Sequence, residues 1–73
     1  MSNLKDKFGK RLKELRMNND ITQEELSSRT DLSVEFISAL ERGVYAPSFE
    51  TIEKLTQALN TTPKDLFTFK QGG

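Results

Sequence analysis

Four helix-starting signals cut this chain into short pieces. Thr22, Ser33, Ser48 and Thr62 each stand just ahead of apolar residues at helical spacing, and a side-chain oxygen at that place satisfies free backbone N–H groups of a first turn. Thr22-Gln23-Glu24-Glu25 is a full capping box, and Pro63 after Thr62 suits a first helical position. Ahead of them, Leu4, Phe8, Leu12 and Leu15 recur with Lys and Arg between, which predicts an amphipathic helix over 4–18. Asn18-Asn19-Asp20 stops it. The second helix is predicted over 22–29, and Thr30-Asp31-Leu32 is a tight connection. A third opens at Ser33, with Ile37 and Leu40 toward the core, and ends near Gly43. After a loop through Pro47, the fourth carries Ile52, Leu55, Ala58 and Leu59 on one face, and a last turn or two passes through Leu66 and Phe67. No segment alternates as a strand does, so the expectation is an all-α, compact five-helix bundle. Residues 4–69 form one domain, and 70–73 are expected to be a flexible C-terminal tail.

A bundle of this size has no deep cavity, so function is expected on a surface. Leu, Ile, Val and Phe supply 19 of 73 residues, above the roughly 20% below which a charged chain stays disordered. Cysteine and histidine are both absent, which removes disulfides, Cys/His zinc sites and any nucleophile that needs a histidine base. No metal, cofactor or small-molecule ligand is implied, and the chain is not expected to be an enzyme. No apolar run approaches the ~18 residues of a membrane span, and the opening lacks a signal-peptide core, so a cytoplasmic protein is expected.

The eleven basic and eleven acidic residues cancel, but they are unevenly placed. Residues 1–20 hold six basic against three acidic side chains, a net +3, while residues 21–50 hold two against six, a net −4. A basic N-terminal face therefore adjoins an acidic middle.

A short helix, a tight turn and a second helix make a helix-turn-helix, whose second helix can enter the DNA major groove by its N-terminal end. Phe8-Gly-Lys-Arg-Leu-Lys-Glu-Leu-Arg16, Thr22-Gln-Glu-Glu-Leu26, Leu32-Ser33, Ile37-Ser38, Glu41-Arg-Gly43 and Pro47-Ser48 resemble, at matching spacing, the phage-repressor-type helix-turn-helix domain of the Cro and XRE family. The near-standalone domain also resembles the small controller regulators of restriction-modification systems. The resemblance implies a lambda-repressor-like fold and a sequence-specific DNA-binding transcriptional regulator, a repressor or controller. Such a protein acts as a homodimer on a partly palindromic stretch of double-stranded DNA, with residues 33–42 as recognition helix.

Carried onto this chain, the resemblance makes Thr22 and Gln23 backbone-contacting residues at a helix N-terminus, where free N–H groups favour a phosphate. It turns Ser33, Val34, Glu35, Phe36, Ser38 and Ala39 toward the DNA. Phe36 reads more readily as core or interhelical packing than as a base contact, and Arg42 and Tyr45 equally as phosphate contacts or as solvated loop residues. Arg16 and Glu41 match a structural ion pair between the first and third helices. Leu66, Phe67 and Phe69 offer more apolar surface than one helical turn can bury, so they are expected to form the dimer contact.

Where the family often has Arg, Gln or Lys for bidentate bonds to bases, this chain has Val34, Glu35 and Ala39. Where it usually has glycine, this chain has Asp20 and Asp31. The affinity of a single copy is therefore expected to be modest, with strong dependence on dimerisation. The acidic recognition surface keeps a second reading open, a protein-interaction module of the same fold such as an antitoxin or anti-repressor.

Overall fold

Asn3 accepts a hydrogen bond from the Asp6 N–H, Thr22 from Glu25, Ser33 from Phe36, Ser48 from Thr51 and Thr62 from Asp65. Each is an N-cap reaching the third residue of its helix. The computed structural model describes residues 3–69, and these caps open its five helices: α1 (Leu4–Asn18), α2 (Gln23–Thr30), α3 (Val34–Glu41), α4 (Phe49–Ala58) and α5 (Pro63–Leu66). The all-α expectation is borne out, with Thr22, Ser33, Ser48 and Thr62 capping where the sequence places them; the Asn3 cap of α1 was not expected. The tail at 70–73 lies outside the described residues. Among the described residues, no helix is long and apolar enough to cross a membrane.

One core joins all five helices. Phe8 and Leu12 from α1, Leu26 from α2, Ile37 and Leu40 from α3, Leu55 from α4 and Leu66 from α5 are all fully buried. Burying such side chains contributes about 1.5–3 kcal/mol each. α3 is held between α1 and α2, while α5 closes the bundle against α1 and α4. Leu66 is thus part of the core and unavailable for dimer contact, which corrects the expectation for that residue. A single turn of helix suffices to deliver it, because Pro63 and the Thr62 cap fix the entry of the chain.

Two backbone features set how closely the helices approach. A methyl group on Gly9 would stand 2.4 Å from the Leu40 carbonyl oxygen and 2.6 Å from that of Glu41, so only glycine lets α1 cross the end of α3 at this distance. Asp20, Asp31 and Asn60 carry positive φ of 57°, 61° and 52° in the connections after α1, α2 and α4. Aspartate and asparagine adopt this left-handed conformation more readily than most residues, though less readily than glycine.

Candidate nucleic-acid interface

The turn between α2 and α3 is held by two hydroxyls that α2 sends across it. Ser27 Oγ donates to the Leu32 carbonyl at 2.5 Å, and the buried Thr30 Oγ1 accepts from the Leu32 N–H at 3.2 Å while donating to Leu26 at 2.7 Å. Both ends of the Leu32 peptide unit are therefore fixed from α2. Asp31 caps α2 in the left-handed conformation, and Ser33 opens α3 two residues later. Neither Ser27 nor Thr30 stood out in the sequence; a hydroxyl in the last turn of a helix ahead of a short connection is the signal that would have found them.

At its far end, α3 is anchored by charge. Arg16 of α1 donates through Nε to Glu41 Oε2 at 2.6 Å and through its second terminal nitrogen to Glu41 Oε1 at 3.1 Å, the two-point geometry of a guanidinium on a carboxylate. Its remaining nitrogen donates to the Ile21 carbonyl at 2.8 Å. The Arg16 and Glu41 side chains are only 11% and 4% exposed, so the expected pair between the first and third helices is present and mostly dry. The hydrogen bond to Glu41 raises the Arg16 pKa above its ordinary value, against the opposing effect of burial and with smaller help from the charges of Glu41 and Glu24. Its charge is fixed at any ordinary pH.

Gln23 joins the same carboxylate, its Nε2 donating to Glu41 Oε1 at 3.1 Å. Thr22 and Gln23 stand at the first residues of α2 as expected, with Thr22 engaged in capping.

Along α3 the accessible positions are Val34, Glu35, Ser38 and Arg42, with Ser33 at the cap. At 100° per residue these four fall on one strip of the helix. Glu35 and Arg42 are exposed, Val34 and Ser38 half-buried, and Arg42 Nε donates back to Ser38 Oγ at 3.3 Å. Ile37 and Leu40 face the core, as their spacing predicts.

Ala39 is a correction. Expected to face DNA, it is 4% exposed; beyond it Gly43 turns the chain at φ 77° and the Val44 N–H donates back to the Ala39 carbonyl at 2.9 Å, closing the end of α3. The same loop brings Tyr45 onto Phe36, ring centroids 6.0 Å apart and planes 26° from parallel. Phe36 is half-buried against the core and Tyr45 is 54% exposed. The loop therefore walls one flank of the strip.

Away from α3, an apolar groove of about 220 Å³ is bordered by Leu4, Phe8, Pro47, Phe49, Ile52 and Phe67, with Lys5 at its rim. Phe67 packs on Phe8 at 5.3 Å, and Phe69 meets Phe67 edge-on at 6.1 Å. Phe67 is partly exposed and Phe69 half-buried, so of the three residues expected in the dimer contact these two reach the surface. Phe49, 89% exposed, was not singled out. A phenylalanine at a first helical position, to one side of the Ile52–Leu55–Leu59 face, is the pattern that marks it.

A capped helix with an accessible strip, set across a hydroxyl-locked turn from a helix with a polar N-terminus, defines a helix-turn-helix protein. The chain belongs to the Helix-turn-helix family of Cro/XRE type, a family of transcription regulators, whose model matches residues 12–66. It is 36% identical over 69 residues to the control protein C.BamHI of Bacillus amyloliquefaciens, covering 93% of this chain and 85% of that protein. The crystal structure of the restriction-modification controller protein C.AhdI from Aeromonas hydrophila is similar with a TM-score of 0.82 at 37% identity, covering 85% of this chain and 94% of that one. The controller C.Esp1396I, solved as a tetramer in complex with its natural 35 base-pair operator, is similar with a TM-score of 0.81 at 25% identity, over 92% of this chain and 88% of that one.

Proposed function

We propose that this chain is a sequence-specific transcriptional regulator of the controller type, binding double-stranded operator DNA in the cytoplasm as a homodimer with α3 in the major groove. It acts by binding rather than by catalysis. The observation that carries this reading is the match of nearly the whole domain to a controller solved on its operator. The accessible strip of α3 supports it: Val34 suits a thymine methyl, Glu35 accepts from cytosine N4, and Ser38 bonds to either kind of base edge. Arg42, at the C-terminal end of that strip, and Tyr45, in the loop beside it, would take the phosphate oxygens. One N–H of the Gln23 amide is spent on Glu41, so a phosphate beside α2 would take the second.

The dimer contact is assigned to the groove face, through Phe49, Leu4 and Phe67 rather than Leu66. Phe49 both borders the groove and stands out of it, so two copies related by a two-fold axis can each place this ring in the other's groove.

Fluorescence anisotropy against duplexes selected from a random pool tests DNA binding. Affinity should fall as salt rises, because phosphate contacts release counterions, and Gln23→Ala should weaken all sequences alike. Flat curves at low salt for every selected duplex would sink the reading. For the dimer, Phe49→Ser should sediment as a monomer that keeps its helical circular dichroism and whose unfolding temperature no longer rises with protein concentration, and an unchanged mass would move the interface elsewhere.

A further inference from the structure

The ring pair on the flank of α3 joins two segments with different prospects of meeting DNA. Phe36 sits in the first turn of the recognition helix, half-buried and packed against the core. Tyr45 lies in the loop after α3 and is more than half exposed. A phenyl ring flanked by an offset tyrosine ring at 6.0 Å and packed on the core has little surface left to offer a base. A tyrosine ring lying on a fixed phenyl has few orientations left for its hydroxyl.

Resting on the DNA-binding reading, we infer that Phe36 is a positioning residue and not a base-reading one: it is the shelf that holds Tyr45 so that the phenol hydroxyl donates to a backbone phosphate beside the recognition strip. Three observations meet here. The loop is drawn toward α3 by the Val44–Ala39 hydrogen bond, which sets Tyr45 on the Phe36 side of the helix. The near-parallel planes restrain the ring, and offset stacking of this kind is favourable beyond the area it covers. Ala39 is small and buried, so no long side chain from that position competes for the flank of α3. An exposed loop tyrosine without the shelf would have to be ordered at the moment of binding, at a cost in affinity.

The two residues therefore form one unit, and their contributions to DNA affinity should not add. The experiment measures affinity for a duplex selected by the wild-type protein, together with unfolding temperature, for Tyr45→Phe, Tyr45→Ala, Phe36→Leu, Phe36→Tyr and the Phe36→Leu/Tyr45→Ala double variant. Tyr45→Phe keeps the stack and loses the hydroxyl, so affinity should fall roughly three- to tenfold for selected and unselected duplexes alike, with the unfolding temperature unchanged. Phe36→Leu keeps apolar packing and removes the shelf. It should cost a similar factor where Tyr45 is present and nothing further in the double variant, while Phe36→Tyr, which restores a ring, should bind as wild type does. Independent, multiplying losses would overturn the inference, and so would a base-preference profile altered by Phe36→Leu, since either makes Phe36 a reader in its own right. Failure of the wild-type protein to bind any duplex would overturn the DNA-binding reading and the inference together, a result distinct from either of those.

Discussion

The Gln23 amide nitrogen lies 3.1 Å from Oε1 of Glu41, so the first residue of α2 is tied to the last residue of α3. Because Arg16 grips the same carboxylate from α1, three helices meet on one buried negative charge. The angle at which α3 is presented is thereby set by polar geometry at its C-terminal end and by the Ser27 and Thr30 hydroxyls at its N-terminal end.

Removing one partner of the Arg16–Glu41 pair leaves the other nearly buried and uncompensated. Glu41→Ala or Arg16→Ala should each destabilise the domain by roughly 3–5 kcal/mol, with the double variant losing much less than the two together. Urea unfolding of the four proteins measures this, and additive losses would mean that the pair contributes no coupling.

Gly9→Ala should also destabilise, although alanine in a helix interior is normally better than glycine by roughly 0.5–1 kcal/mol. The sign reverses because the new methyl would meet the Leu40 and Glu41 carbonyls at 2.4 and 2.6 Å, and such overpacking costs about 1–3 kcal/mol. A rise in the urea midpoint for Gly9→Ala would show that α1 and α3 can separate without loss.

Asp31→Gly is expected to stabilise. Its φ of 61° carries a left-handed strain of roughly 1–2 kcal/mol for a side chain with a Cβ, whereas the extra freedom glycine gives the unfolded chain costs about 0.4–1 kcal/mol. Thermal unfolding should show a gain of about 0.5–1 kcal/mol, and a loss would mean that the Asp31 carboxylate supports the turn in some other way.

Glu35 is exposed on the accessible strip of α3, and on the proposed reading a carboxylate there would be repelled by phosphates and would accept from a base amino group such as cytosine N4. Glu35→Gln should tighten binding overall while relaxing preference at one base pair per half-site by about 1–3 kcal/mol. Selecting duplexes with both proteins and comparing the base-preference profiles decides it; identical profiles would take Glu35 off the list of readers.

The sequence by itself determined where the last four helices begin, because a cap is a contact between residues three apart: Thr22, Ser33, Ser48 and Thr62 perform locally what their positions announce. It also determined most of the apolar stripes of α1, α3 and α4, since helical periodicity needs no knowledge of the partner face, although Leu4 at the start of the α1 stripe is left exposed. The Arg16–Glu41 pair was legible only through resemblance to a family, being 25 positions apart. Tertiary structure alone decided that Ala39 is buried and which way the loop after Gly43 falls, and with it that Phe36 lies beside Tyr45. It alone decided that Leu66 completes the core while Phe49 stands in solvent, because whether an apolar side chain is buried depends on which distant helix arrives to cover it. Three-residue rules cannot carry that information; the closing of α5 onto α1 and α4 does.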